Sequence, residues 1–175
     1  MSKSPKSPKK PKKLIDLSGS AIKESFDKIV IHHTATKRQK KYDVEWCRAL
    51  HKGKGWYDIG YHLYVEYDGK IKLGRDLHKT GAHCYGQNQY AVGIAFVGGL
   101  DSDGEEAVTI SPAQQKAVAY LIKELRQVSG KELSVHSHNE FRNTFCPGFD
   151  ASEVDWDEFL DDGAPDPKQA SKASK

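Results

Sequence analysis

Lys28–His33 reads KIVIHH, and Ala91–Val97 reads AVGIAFV. Both are continuous apolar runs of strand length, and an unbroken apolar run marks a strand covered on both faces. The first ends in two histidines, whose side chains must point to opposite faces of a sheet. Working outward, Tyr61–Tyr67 and Lys70–Gly74 read as two strands joined by Asp68-Gly69, the strongest short hairpin signal. Between them and the first strand, Tyr42–Lys52 places Val44, Cys47, Arg48 and His51 at helical spacing. Asp43 is its N-cap and Gly53 its terminator. Ser111-Pro112 opens a second helix with an N-cap serine and an N1 proline, and Val118, Leu121, Ile122 and Leu125 form its apolar stripe. Glu132–Val135 reads as a short strand. Ser152–Leu160 reads as a terminal helix with Val154, Trp156 and Phe159 facing inward. The order β-α-β-β-β-α-β-α predicts one α/β domain, a mixed β-sheet flanked by α-helices.

Length supports one domain, since 175 residues suffice for a single core of ordinary size. The formal net charge of +3 averages three unlike segments. Residues 1–13 carry six lysines and no acid, and residues 163–175 carry three lysines and Asp166, which leaves −5 on residues 14–162. The body is acidic and the ends are basic, which argues against a nucleic-acid-binding core domain. Both ends are poor in apolar residues and read as disordered tails, with the folded domain over 14–162. No run approaches the roughly 18–20 apolar residues of a membrane span. The basic N-terminus is not followed by the apolar stretch of a secretory leader. Three cysteines, Cys47, Cys84 and Cys146, do not make a disulfide framework and suit a reducing compartment.

The chemistry-bearing residues lie at strand ends. His32 closes the first apolar run, and His138 follows the last short strand. Cys146 lies eight residues beyond His138, in the loop TFCPGFD. Two histidines and one thiolate suit Zn²⁺ and leave a fourth position open, which separates a catalytic zinc from a structural one. They can meet if the first and last strands are close in the sheet. Spacing alone is a weak signal, because a strand-end histidine more often packs or hydrogen-bonds, and a lone cysteine before proline is usually a small core residue.

Six motifs, taken together, are more specific. They are Ile31-His32-His33-Thr34-Ala35-Thr36, Gly55-Trp56-Tyr57-Asp58-Ile59-Gly60-Tyr61-His62, Gly74-Arg75-Asp76, Gly81-Ala82-His83, the stretch from Asn88 through Val97-Gly98-Gly99, and His138 to Cys146-Pro147-Gly148-Phe149-Asp150. In this order they resemble the zinc-dependent N-acetylmuramoyl-L-alanine amidases, most closely the T7-type phage branch. Animal peptidoglycan recognition proteins share the domain more distantly. The resemblance covers roughly 28–160 and implies a mixed sheet flanked by helices.

The resemblance implies that His32, His138 and Cys146 are the zinc ligands, with one Zn²⁺ per chain. It makes Tyr61 the catalytic tyrosine facing the reacting carbonyl. It places His83 and Asn88 in the peptidoglycan groove; the alternative is that they are loop residues making turn hydrogen bonds. Thr144 stands where the phage members carry a catalytic lysine, two residues before the cysteine ligand. Active recognition proteins also have threonine there. Threonine donates one neutral hydrogen bond, weaker than a charge-assisted one. His62 is expected on the face opposite Tyr61, as a structural histidine. Trp56 and Tyr57 either stack on sugar or pack beneath the hairpin.

The function implied is that of a phage-type endolysin cutting the amide between N-acetylmuramic acid and L-alanine. The alternatives are a peptidoglycan-binding module without turnover, or additional regulatory binding to a phage RNA polymerase. Cys146 favours the enzyme, since non-catalytic recognition proteins typically lack that ligand. Expected partners are bacterial peptidoglycan and, through the lysine-rich N-terminal tail, anionic envelope polymers. The tail lacks aromatics for base stacking, so nucleic acid is not an expected partner. A monomer is expected, made in the host bacterial cytoplasm and acting on the wall after release.

Overall fold

The computed structural model describes residues 13–160. The expected tails, apart from Lys13, lie outside the described residues, as do residues 161 and 162 of the expected domain. In chain order the elements are β1 (Lys28–His33), β2 (Thr36–Lys37), α1 (Val44–Gly53), β3 (Leu63–Val65), β4 (Ile71–Leu73), β5 (Ala91–Phe96), β6 (Gly99–Leu100), α2 (Pro112–Ser129) and β7 (Ser134–Ser137). Short 3₁₀ turns follow at His138–Glu140 and Trp156–Leu160.

The two apolar runs become neighbours in a five-stranded sheet of order β4-β3-β5-β1-β7. β1 pairs parallel with β5 and with β7, β3 pairs parallel with β5, and only the β3–β4 hairpin is antiparallel. The sheet is mixed, as expected. Strand alternation divides the side chains. Ile29, Ile31, Val92, Ile94, Phe96, Leu63 and Val65 pack with Val118, Leu121, Ile122 and Leu125 of α2. On the other face Tyr64 and Ala95 pack with Val44 and Cys47 of α1. Fully burying a leucine such as Leu121 stabilises by about 1.5–3 kcal/mol, so the α2 face is the main source of cohesion.

Both predicted N-caps form, whereas Gly53 is the last residue of α1 and Lys54 is its C-cap. The Asp43 side chain accepts from Trp46 N, and Ser111 and Gln114 make a reciprocal capping box. Gln114 Nε2 also donates to Val97 O at 2.9 Å and Glu66 O at 3.2 Å, which ties the start of α2 to chain leaving β5 and β3. Arg48 leaves the predicted stripe of α1 and pairs with Asp58.

Two expectations about the end of the chain are corrected. The terminal helix over Ser152–Leu160 is only a 3₁₀ turn at Trp156–Leu160. Asp side chains there accept from nearby backbone N–H groups in competition with a helix. Ser152 N donates to Asp150 Oδ1, and Asp157 N donates to Asp155 Oδ1. The last strand runs Ser134–Ser137 rather than Glu132–Val135, because pairing with β1 begins at Lys28 opposite Ser134. The Gly98-Gly99 segment forms a two-residue parallel pair between β2 and β6, Thr36 opposite Gly99.

Candidate functional site

Because β1 and β7 run side by side and parallel, their C-terminal ends share one edge of the sheet. His32 sits at that end of β1, and His138 is the first residue of the turn leaving β7. The following loop returns so that Asn139 N donates to Cys146 O at 3.0 Å. The donor atoms of His32, His138 and Cys146 all lie within 4.8 Å of one another. Cys146 Sγ is 3.8 Å from His32 Nδ1. One tetrahedral zinc with ordinary Zn–N and Zn–S distances requires a separation of roughly 3.6 Å, so the donor set fits this ion.

Burial sets the electrostatics. It holds the His32 pKa well below the ordinary imidazole value, helped by His83 and His138, and it lowers His138 as well. Both rings are neutral at pH 7 and offer lone pairs. Burial pushes the Cys146 thiol up to about 12, although the His33 N–H directed at Sγ from 3.2 Å acts the other way. The thiol therefore keeps its proton until a cation replaces it.

Tyr61 joins this cluster, its ring centroid 5.3 Å from that of His32. Burial raises its pKa, so the phenol stays protonated and can donate. Sequence reasoning did not single out the residues that hold the Tyr61 segment. His51, from α1, accepts Gly60 N–H on Nδ1 at 2.9 Å. The buried Arg75 donates to Ile59 O, Thr80 O and Asp58 O. Gly60 leaves no room for a side chain, since a Cβ would lie 2.1 Å from Ala82 O. The signals were present, in His51 on the buried stripe of α1 and in an arginine within a glycine-bounded motif.

Thr144 Oγ1 accepts from Cys146 N at 3.3 Å, so its O–H remains available to donate beside the cluster. Asn88 takes the turn-bonding alternative: its Oδ1 accepts from His83 N and Cys84 N, both at 2.9 Å. His83 lies behind His32 with both ring nitrogens engaged inside the protein. The expected groove contact is therefore not what its ring atoms are arranged for. His62 is structural, with Nδ1 accepting from Gly93 N and Nε2 donating to Lys79 O. Tyr57 is exposed with the Arg75 guanidinium 4.3 Å from its ring centroid, so it is not packed beneath the hairpin.

A His-His-Cys cluster with His32 and Cys146 buried and His138 half-buried, beside a tyrosine at the C-terminal edge of a mixed sheet, is suited to metal-assisted hydrolysis. Residues 23–149 match the N-acetylmuramoyl-L-alanine amidase family, and the chain belongs to it. Over 129 residues it is 36% identical to the endolysin of Escherichia phage T7, covering 73% of this chain and 84% of that protein. It is 34% identical over 130 residues to the peptidoglycan-recognition protein SC1a of Drosophila melanogaster, covering 65% of this chain and 70% of that one. The solved endolysin amidase LysCS of Clostridium intestinale shares the fold with a TM-score of 0.61 at 31% identity, covering 80% of this chain and 86% of that one. The protein is a cell-wall amidase. Its family is generally zinc-dependent, and the His-His-Cys cluster is where this chain can meet that requirement. Among the described residues no helix is long and apolar enough to cross a membrane.

Proposed function

We propose that this amidase is a phage-type endolysin using one zinc ion held by His32, His138 and Cys146. The observation that carries the reading is the convergence of those three donor atoms within 4.8 Å, from two strand ends and a loop. Zinc, when bound, lowers the pKa of a coordinated water toward ~7 and polarises the scissile carbonyl.

The chain's own groups supply the rest. Water adds across the amide between the lactyl carbonyl of N-acetylmuramic acid and the nitrogen of L-alanine. The C–N bond breaks, leaving a carboxylate and the alanine amine. Tyr61, held as a protonated phenol, donates to the carbonyl oxygen as negative charge develops there. Thr144 supplies a second, neutral donor from the loop that carries Cys146. His51 and Arg75 keep the Tyr61 segment in place, so the donor is aimed before substrate arrives. Peptidoglycan is the substrate. The N-terminal lysines add attraction to anionic envelope polymers, the chain acts as a monomer, and synthesis is in the host cytoplasm.

Cys146→Ser tests the site. A hydroxyl is a poor zinc ligand beside a thiolate, so the variant loses both its zinc in metal analysis and its release of alanine amino termini from purified peptidoglycan. Retention of both refutes the ligand set. A wild-type protein that holds zinc and binds peptidoglycan without releasing any amine is a receptor, and the mechanism is then wrong.

A further inference from the structure

We propose that His83 is a positioning residue for the metal centre: it accepts the Nε2 proton of His32 and so fixes the tautomer and ring orientation that present His32 Nδ1 to the ion. This inference rests on the reading of His32 as a zinc ligand.

The argument is one of donors and acceptors. His83 Nε2 lies 3.1 Å from Ala91 O, and a carbonyl oxygen can only accept. The proton of a neutral His83 is therefore on Nε2, and its Nδ1 is a lone pair. That lone pair is 2.9 Å from His32 Nε2, so His32 carries its proton there. His32 Nδ1 is then left unprotonated on the side where Cys146 Sγ lies 3.8 Å away. The order Ala91 carbonyl, His83, His32 leaves one tautomer at each ring.

The fold is shaped around this chain of bonds. A Cβ on Gly93 would lie 2.6 Å from the His83 ring, and one on Gly81 would lie 2.7 Å from it. Both glycines make the seat in which the ring rests. Asn88 fixes the backbone of His83 from outside. A side chain that reads substrate needs a free polar atom, and both ring nitrogens of His83 are already used.

The test uses the full-length chain. In zinc-free protein labelled with ¹⁵N-histidine, long-range ¹H–¹⁵N spectra should show His32 and His83 as single Nε2-protonated tautomers. His83→Phe keeps a ring in the seat but removes the acceptor. Its zinc affinity, by chelator competition, should fall about 10–100-fold, and the visible spectrum of the Co²⁺-loaded protein should change. His83→Asn can place its amide oxygen where Nδ1 was, and should recover zinc affinity to within a few-fold of wild type. Wild-type zinc affinity in His83→Phe with a raised KM would make His83 a substrate contact and overturn the proposal. Equal loss in both variants with the His32 tautomer unchanged would make it a packing residue and overturn it too. The tautomer measurement stands even where a variant fails to fold, and His32 protonated on Nδ1 in wild type would end the idea. A wild-type chain that binds no zinc refutes the zinc reading instead, whatever the tautomers show.

Discussion

The two faces of the sheet are built from the same strands and do different work. β1 sends Ile29 and Ile31 toward α2, into a layer of aliphatic and aromatic side chains. The same strand sends His32 to the α1 side, among His83, Tyr61 and His138. The α2 face is mostly a matter of shape, with His33, beside Phe96, as the buried imidazole that β1 sends there. The α1 face holds buried imidazoles, each of which needs a hydrogen-bond partner. A one-residue slip of β1 would exchange the two faces, so cohesion and chemistry depend on one register.

Crossing the two faces by mutation gives the largest expected effect. His32→Ala should reduce wall hydrolysis to assay background and abolish stoichiometric zinc while the metal-free protein still folds, destabilised by the cavity and the His83 nitrogen left unpaired. Leu121→Ala should do the reverse, costing about 2–5 kcal/mol in urea unfolding while the folded fraction keeps its zinc affinity. If Leu121→Ala loses zinc at full folded occupancy, the faces are coupled and the division is wrong.

The division also predicts a pH dependence confined to the metal side. With the Cys146 thiol near 12 and the His32 and His138 rings already neutral, one proton leaves for each ion bound at neutral pH and above. Zinc affinity should therefore rise at least about tenfold per pH unit between about 7 and 9, more steeply as the coordinated water also ionises. Chelator competition across that range measures it. A flat profile would mean that Cys146 is already a thiolate, or is not a ligand.

The sequence disclosed the two faces unequally. Apolar runs, the Asp68-Gly69 hairpin and the Ser111-Pro112 start report local chemistry, and all appear where expected. The proposed ligand set could be read only through motif resemblance, because His32 and Cys146 are 114 residues apart and only β1–β7 pairing joins them. The roles of His51 and His83 were not legible. A buried histidine's function depends on which nitrogen faces which backbone group, and spacing carries no record of that. The terminal helix was misread because Trp156 and Phe159 supplied a pattern while Asp150 and Asp155 drew the backbone into local bonds.

Those buried imidazoles carry a stability cost in acid. Burial lowers His51 and His62 to about 4 and His83 to about 3. In the unfolded chain each takes up a proton near 6.5, while the folded state resists until much lower pH. Their stability contribution is therefore complete above about 6.5 and is lost as pH falls toward the folded values. The urea midpoint of zinc-free protein should drop steadily from pH 7 to pH 4.5. His51→Asn, which can still accept from Gly60 N–H, should shallow that slope by up to one proton. An unchanged slope would place the acid sensitivity elsewhere.

The smallest expected effect separates the site from its neighbouring loop. Thr144→Lys restores the residue of the phage branch at a position whose present bond, 3.3 Å from Cys146 N, is long. Losing a neutral bond of that kind costs about 0.5–1.5 kcal/mol, and a lysine ammonium offers a donor roughly twice as strong to the same oxyanion. The two changes oppose each other, so hydrolysis near neutral pH should move by less than about tenfold. The informative readout is the alkaline limb. A lysine loses its proton near 10.4, so the variant should decline there, while a hydroxyl donor has no such titration. Superimposable pH profiles for the two proteins would mean that position 144 does not touch the developing charge, and Tyr61 would then be the sole donor this chain provides.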